Sequence, residues 1–166
     1  MANETKLARR YKWEVNTGTA LIPVWTAVLG VVEFKPSTEP VNQLDFDYDA
    51  SGDKGYKKTA QEWAIEAKIA VKQDDGTFVT ATVHTFLKTA SRSFNAASVV
   101  HMRYYDRNGN SDAWEGYGII GWSDEGGDAE QLGQATITVQ PSSTSPGLTQ
   151  ISSPVNLQFE ILGGCL

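Results

Sequence analysis

The sequence predicts a mainly β fold, a β-sandwich or strongly curved, barrel-like sheet with one flanking α-helix. Three observations point to it. Apolar and polar residues alternate with a period of two in several segments, most cleanly from Glu62 to Lys72, where Trp63, Ile65, Ala67, Ile69 and Val71 fall on one face. Turn-forming clusters separate these segments: Asn16-Thr17-Gly18-Thr19, Gln73-Asp74-Asp75-Gly76 and Asp106-Arg107-Asn108-Gly109-Asn110, the last with an Asn-Gly hairpin signal. Only one stretch changes to a spacing near 3.6. It holds Phe78, Val79, Val83, Phe86, Leu87, Ala90 and Phe94, and predicts a helix over 77–91. About eight strands and one helix suit a single domain.

The elements follow in chain order. Residues 1–10 are polar and read as an N-terminal arm. Tyr11, Trp13 and Val15 alternate with Lys12 and Glu14 as a first strand. Val24 to Phe34 is nearly all apolar and rich in valine, so it reads as one strand buried on both faces or at a subunit contact. Gly30 in its middle suggests a bulge or a close backbone approach. Pro36 and Pro40 are expected to bracket a break. Residues 35–62 then carry an acidic strand and a long loop, with Leu44, Phe46 and Tyr48 on one face, Asp45, Asp47 and Asp49 on the other, and the loop over 50–59. After the helix, strands are expected over 99–105, 114–122, 135–140 and 155–162. An acidic loop over 123–131 and an extended connection over 141–154 join them, and 141–166 is a C-terminal extension. No internal repeat is present.

The chain has 166 residues, 40% of them hydrophobic, enough for a real core. With 14 Lys plus Arg against 20 Asp plus Glu, its net charge is −6, a poor basis for gripping nucleic acid by its phosphates. It could still surround nucleic acid without holding it. Cys165 is the single cysteine, so no internal disulfide is possible. The N-terminal stretch MANETKLARRYKWEV lacks a continuous apolar core, so no signal peptide is expected. No apolar run approaches the roughly 20 residues that span a bilayer.

The stretch DFDYDASGDKG invites a calcium reading, because Asp47, Asp49, Ser51 and Gly52 match the front of an EF-hand loop. The match fails where a bidentate Glu is needed, since Lys58 stands there. His84 and His101 are the only histidines, with no zinc spacing, and His84 reads as a surface or boundary residue. Gly116, Gly118 and Gly121 imitate a dinucleotide fingerprint, but they lie inside a strand with no helix after it. No cofactor and no catalytic constellation is expected. The five tryptophans and many carboxylates leave glycoside hydrolysis by paired carboxylates open and, ahead of it, a soluble carbohydrate-binding or adhesion module. It would be monomeric or a small closed oligomer, with aromatics exposed in a groove.

The segments RRYKWEVNTG, PVWTAVLGVVEFKPSTEP, DFDYDASGDKGYKKTAQEWAIEAKIAV, DAWEGYGIIGWSDEGG and QATITVQP, in this order, carry a resemblance over about residues 8 to 140. The chain resembles the major tail protein, or tail tube protein, of siphophages, in the branch typical of phages of actinobacteria. The resemblance implies a structural virion protein with no catalysis, made in the bacterial host cytoplasm and placed in the tail. It implies hexameric rings stacked into a tube through N-terminal arms, C-terminal segments and a long early loop. Tape-measure, tail-terminator and distal tail proteins are the implied partners, and DNA passes through without specific binding. On this reading Asp53, Lys54, Tyr56, Lys57 and Lys58 belong to the stacking loop, with the lysines expected to meet acidic loops such as 123–131 of an adjacent ring. Asp45, Asp47 and Asp49 form an acidic face at the lumen or a subunit contact.

Overall fold

The structure, a computed structural model, describes residues 10–45, 54–72, 81–126, 133–144 and 147–155. They form β1 (Tyr11–Asn16), β2 (Trp25–Ala27), β3 (Val31–Asp45), β4 (Gly55–Ala70), α1 (Thr82–Arg92), β5 (Val99–Asp106), β6 (Ala113–Glu125), β7 (Gln134–Pro141) and β8 (Thr149–Gln150). A 3-10 turn, Asn95–Ser98, leads into β5. The strands make one sheet in the order β2-β1-β5-β6-β7-β4-β3, with β8 on β6, and every pairing is antiparallel.

Because side chains alternate along each strand, register decides which set shares a face. Trp13 opposes Tyr104, Ile120 opposes Val139, and Val139 opposes Ile65. Trp13, Val15, Val100, Met102, Tyr104, Ile120, Ile137, Val139, Trp63, Ile65 and Ile69 are thereby buried in one cluster. The sheet curls until its ends meet. Phe34 on β3 lies 5.7 and 5.8 Å from the rings of Tyr11 and Trp13 on β1, and 5.4 Å from Tyr104 on β5. Two glycines permit the tight curl. A Cβ on Gly118 would overlap the Val139 side chain and come within 3.2 Å of Trp63. Gly30, at φ +72°, turns where a Cβ would overlap the Ala70 carbonyl.

α1 covers one end of this core with Val83, Leu87 and Ala90, while Phe86 is half-buried. It begins at Thr82, after an extended Ala81, so it is shorter at its start than the spacing predicted; residues 77–80, with Phe78 and Val79, lie outside the described residues. Phe94 does not continue the stripe. It is 85% exposed, beyond the helix, beside Asn95 in the left-handed region at φ +56°. His84 is not at the surface either: it is fully buried. The Lys72 N–H donates to its Nδ1 at 3.2 Å, and Nε2 lies 2.8 Å from the Leu29 carbonyl oxygen. This pairing selects the tautomer protonated on Nε2. The ring ties the helix to the end of β4 and to the turn before β3.

Several other expectations are corrected. Val24 to Phe34 is not one strand: β2 ends at Ala27, Leu29-Gly30 turns, and β3 starts at Val31. Nor is it buried on both faces, since Val24 and Val32 are 52% and 68% exposed. Pro36 and Pro40 do not break the chain; both lie within β3, paired with Ile65 and Gln61. β3 ends the strand order, and an edge strand tolerates proline because an N–H facing outward has no ladder partner to lose. Residues 55–59 belong to β4 rather than to a loop, and 123–125 extend β6. β8 interrupts the C-terminal connection, and Pro154 and Val155 have helical backbone, so the last strand does not begin at Val155; 156–162 lie outside the described residues.

Two substitutions test this account of the core. G118A is expected to lower stability by about 1–3 kcal/mol through overpacking against Val139, read as a lower urea midpoint at an unchanged slope. H84A is expected to cost about 3 kcal/mol in the same assay, since it leaves the Lys72 N–H and the Leu29 carbonyl without their buried partner.

Candidate assembly surfaces

The most exposed element is a ribbon. β4 pairs with β7 only over Ile65–Ala70, yet its ladder with β3 continues to the Asp45–Gly55 pair. Residues 37–45 and 54–62 are exposed throughout. At about 3.3 Å per residue the exposed stretch of β4, residues 55–62, is roughly 25 Å long. A two-stranded ribbon is marginal alone in water and leaves backbone groups open for pairing. Asp45 stands at the end of β3, with its carboxylate 2.8 Å from Lys57 Nζ on the facing strand. That hydrogen bond holds the lysine above its ordinary value. Lys58 donates to Gln61. Tyr56 is 71% exposed and faces Leu44, itself 53% exposed. Lys54 is exposed just before β4. The ribbon therefore collects Asp45, Lys54, Tyr56, Lys57 and Lys58; Asp47, Asp49 and Asp53 lie outside the described residues, as do 127–131 of the acidic loop.

The sheet face turned away from the core has two unlike halves. On β3, β4, β7 and the end of β6 the outward residues are Glu33, Lys35, Ser37, Glu39, Glu62, Ala64, Glu66, Lys68, Ser123, Glu125, Gln134, Thr136, Thr138 and Gln140. Five carboxylates outnumber two lysines, and no aromatic residue or arginine is among them. The carboxyl of Glu125 is held low by the Thr136 hydroxyl at 2.6 Å and then by Lys68 at 3.4 Å.

The half on β2, β1, β5 and β6 is aromatic and tightly paired. Glu14 is 5% exposed and accepts from Arg103 at 2.7 Å, Tyr105 at 3.0 Å and Lys12 at 2.9 Å. The Arg103 guanidinium lies 4.2 Å above the Trp25 ring. The His101 ring stacks on Tyr117 at 4.3 Å, meets Trp25 edge-on at 4.8 Å, and places Nε2 2.7 Å from Glu115. Pro154 and Val155 bring the C-terminal segment to a cleft of about 450 Å³ walled by Lys12, Glu14, Arg103, Tyr105 and Arg107. The sequence reading missed this cluster. Its trace was the placing of Lys12 and Glu14 between Tyr11, Trp13 and Val15, which put them on the face away from the core. Among the described residues no group of three or more His, Cys, Asp or Glu side chains is placed to hold a metal ion.

Burial alone would raise the Glu14 carboxyl; the hydrogen bonds from Lys12, Arg103 and Tyr105 and the charge of Arg103 outweigh it and hold the group below the ordinary 4.5. A carboxyl depressed by folding stabilises the fold above its unfolded value and loses that contribution as pH falls through its folded value. The wild type should therefore shed stability on acidification below pH 4.5, and E14Q should show less of that slope. At neutral pH E14Q should cost about 2–3 kcal/mol, because Arg103 is left half-buried without its carboxylate. Urea melts across pH would read both.

No family model and no curated protein matches the sequence. Solved structures do match the fold. A chain of the virion of a native gene transfer agent particle superposes with a TM-score of 0.66 at 8% identity, covering 89% of this chain and 100% of that one. The SPP1 tail tube gives 0.65 at 12% identity, over 94% of this chain and 84% of that one. The tail of the empty gene transfer agent particle, refined helically with C6 symmetry, gives 0.62 at 9% identity, over 89% and 100%. The chain thus shares, over nearly its whole length, a fold found in assembled tail tubes.

Proposed function

We propose that this chain is the tube subunit of a long, non-contractile phage tail of the siphophage type, in the actinobacteriophage-like branch that its segment order resembles. Six copies close a ring, rings stack into a tube, and DNA leaves through the bore. The role is structural and belongs to the virion tail, with tape-measure, terminator and distal tail proteins at its ends. The observation that carries the reading is the β3–β4 ribbon, a roughly 25 Å extension with open edges on a fold otherwise shared with assembled tubes. Such a ribbon is completed by pairing with a neighbour, and repeated head-to-tail contacts make rings and filaments.

The half-face of Glu33, Glu39, Glu62, Glu66, Thr136 and Thr138 supports its use as the bore wall. Its excess of carboxylates repels phosphates, and with no aromatic ring or arginine among its residues it offers bases nothing to stack on. Lys54, Lys57 and Lys58 remain the ribbon's cations for acidic loops of the adjacent ring, although Lys57 also pairs with its own Asp45. Against the sugar-binding alternative, Trp13 and Trp63 are buried, Trp114 and Trp122 pack on the core, and Trp25 lies under Arg103.

Negative-stain microscopy over a range of protein concentrations should show hollow tubes with six-fold end views; monomers at all concentrations would remove the reading. K57E/K58E should shorten or abolish tubes, and tubes of wild-type length would remove the lysines from stacking. E62K/E66K should still assemble but should retain added duplex DNA in a salt-sensitive manner, measured by co-sedimentation. Tubes that still ignore DNA would move the bore to another face.

A further inference from the structure

We propose that the β1–β2 turn is an apolar knob that seats in an aromatic-walled cavity at the opposite end of a second copy of this chain, joining one ring to the next. The inference rests on the tube reading above.

The turn is built before it docks. Asn16, 7% exposed, accepts from the N–H groups of Gly18 and Val24 at 2.9 Å each and donates to the Thr19 carbonyl at 3.2 Å. Thr17 and Thr26 hydroxyls add a 2.9 Å bond across its base. One buried amide thus pins both limbs. What the turn presents is Leu21 at 94% exposure and Ile22 at 74%. Two aliphatic side chains held out in water on an ordered turn mark a contact surface, and the ordering needed for docking has already been met.

The ladder registers place the acceptor. β1 leaves at Asn16 beside His101, so the turn stands at the start of β5, the end that also carries Phe94. At the other end of the same strands, where Tyr104 opposes Trp114, a cavity of about 150 Å³ is walled by Trp63, Tyr104, Trp114 and Leu148, with Thr38 and Gln61 at the root of the ribbon. A volume of that size, walled on one side by three aromatic rings and Leu148, is enough to hold one aliphatic side chain of the knob. Knob and cavity at opposite ends cannot meet within one chain or across a two-fold axis that pairs like ends. They can meet head-to-tail, the contact that a stack of rings repeats without closing.

The test uses two full-length variants. L21D/I22D removes the knob and keeps the cavity; T38W fills the cavity from an exposed strand position and keeps the knob. Each alone should raise the concentration at which tubes form, by sedimentation, at least about tenfold. Mixed, they can make one correct contact and no more, so the mixture should give two-ring particles that do not elongate. This rescue also establishes that both variants are folded. Wild-type tubes with L21D/I22D tubes at the same threshold, or a mixture without paired rings, would overturn the knob and leave the tube reading intact. A wild type that never assembles would overturn both.

Discussion

The fold depends on the sheet closing on itself, and Phe34 stands where it closes. Its ring meets Tyr11, Trp13 and Tyr104, residues from the far side of the strand order, and so brings β3 over β1 and β5. The core it borders joins Trp13 and Val15 of β1 to Ile65 and Ile69 of β4, so the apolar face is covered from both sides of the strand order. With that closure, a single parity of side chains becomes a closed core, and the opposite parity becomes the surface of the molecule. Gly118 and Gly30 matter beside Phe34, since each stands where the neighbouring strand, at Val139 or at the Ala70 carbonyl, comes too close for a Cβ.

Closure also explains why so little of the chain's outer face is neutral ground. One half is polar and acidic; the other binds its own charges, with Glu14 tied to three donors and Arg103 laid on Trp25. A surface that pairs its charges internally is available for packing, because few ions must be stripped of water when it is covered. A surface that leaves carboxylates in excess stays hydrated and repels polyanions. The two ends differ as well. An ordered turn with Leu21 and Ile22 stands at one, and the ribbon and an aromatic cavity lie at the other. A chain polar in this sense is suited to repeating contacts along an axis.

Much of the fold was legible because strand alternation is a local property. The Trp63 to Ile69 parity, the β5 and β6 strands and the apolar stripe of α1 all follow from spacing. The errors also have physical causes. Pro36 and Pro40 signal a break only if the strand is interior, and edge position is a matter of sheet order. Val24 to Phe34 read as buried because valine run length does not record the turn at Gly30. His84 read as a surface residue, although it stands next to Val83 and three positions before Leu87 on the buried stripe, because its partners are backbone atoms of Leu29 and Lys72.

The sequence by itself determined the β class, the apolar stripe that became α1 and the acidic balance, since these depend on composition and on neighbours a few positions apart. Only the tertiary structure decided that residues 37–45 and 54–62 form a projecting ribbon, that Glu14 meets Arg103 and Tyr105, and that an apolar turn and an aromatic cavity occupy opposite ends. Those facts depend on register and strand order. Both are set by contacts between residues tens of positions apart, and local alternation carries no record of them.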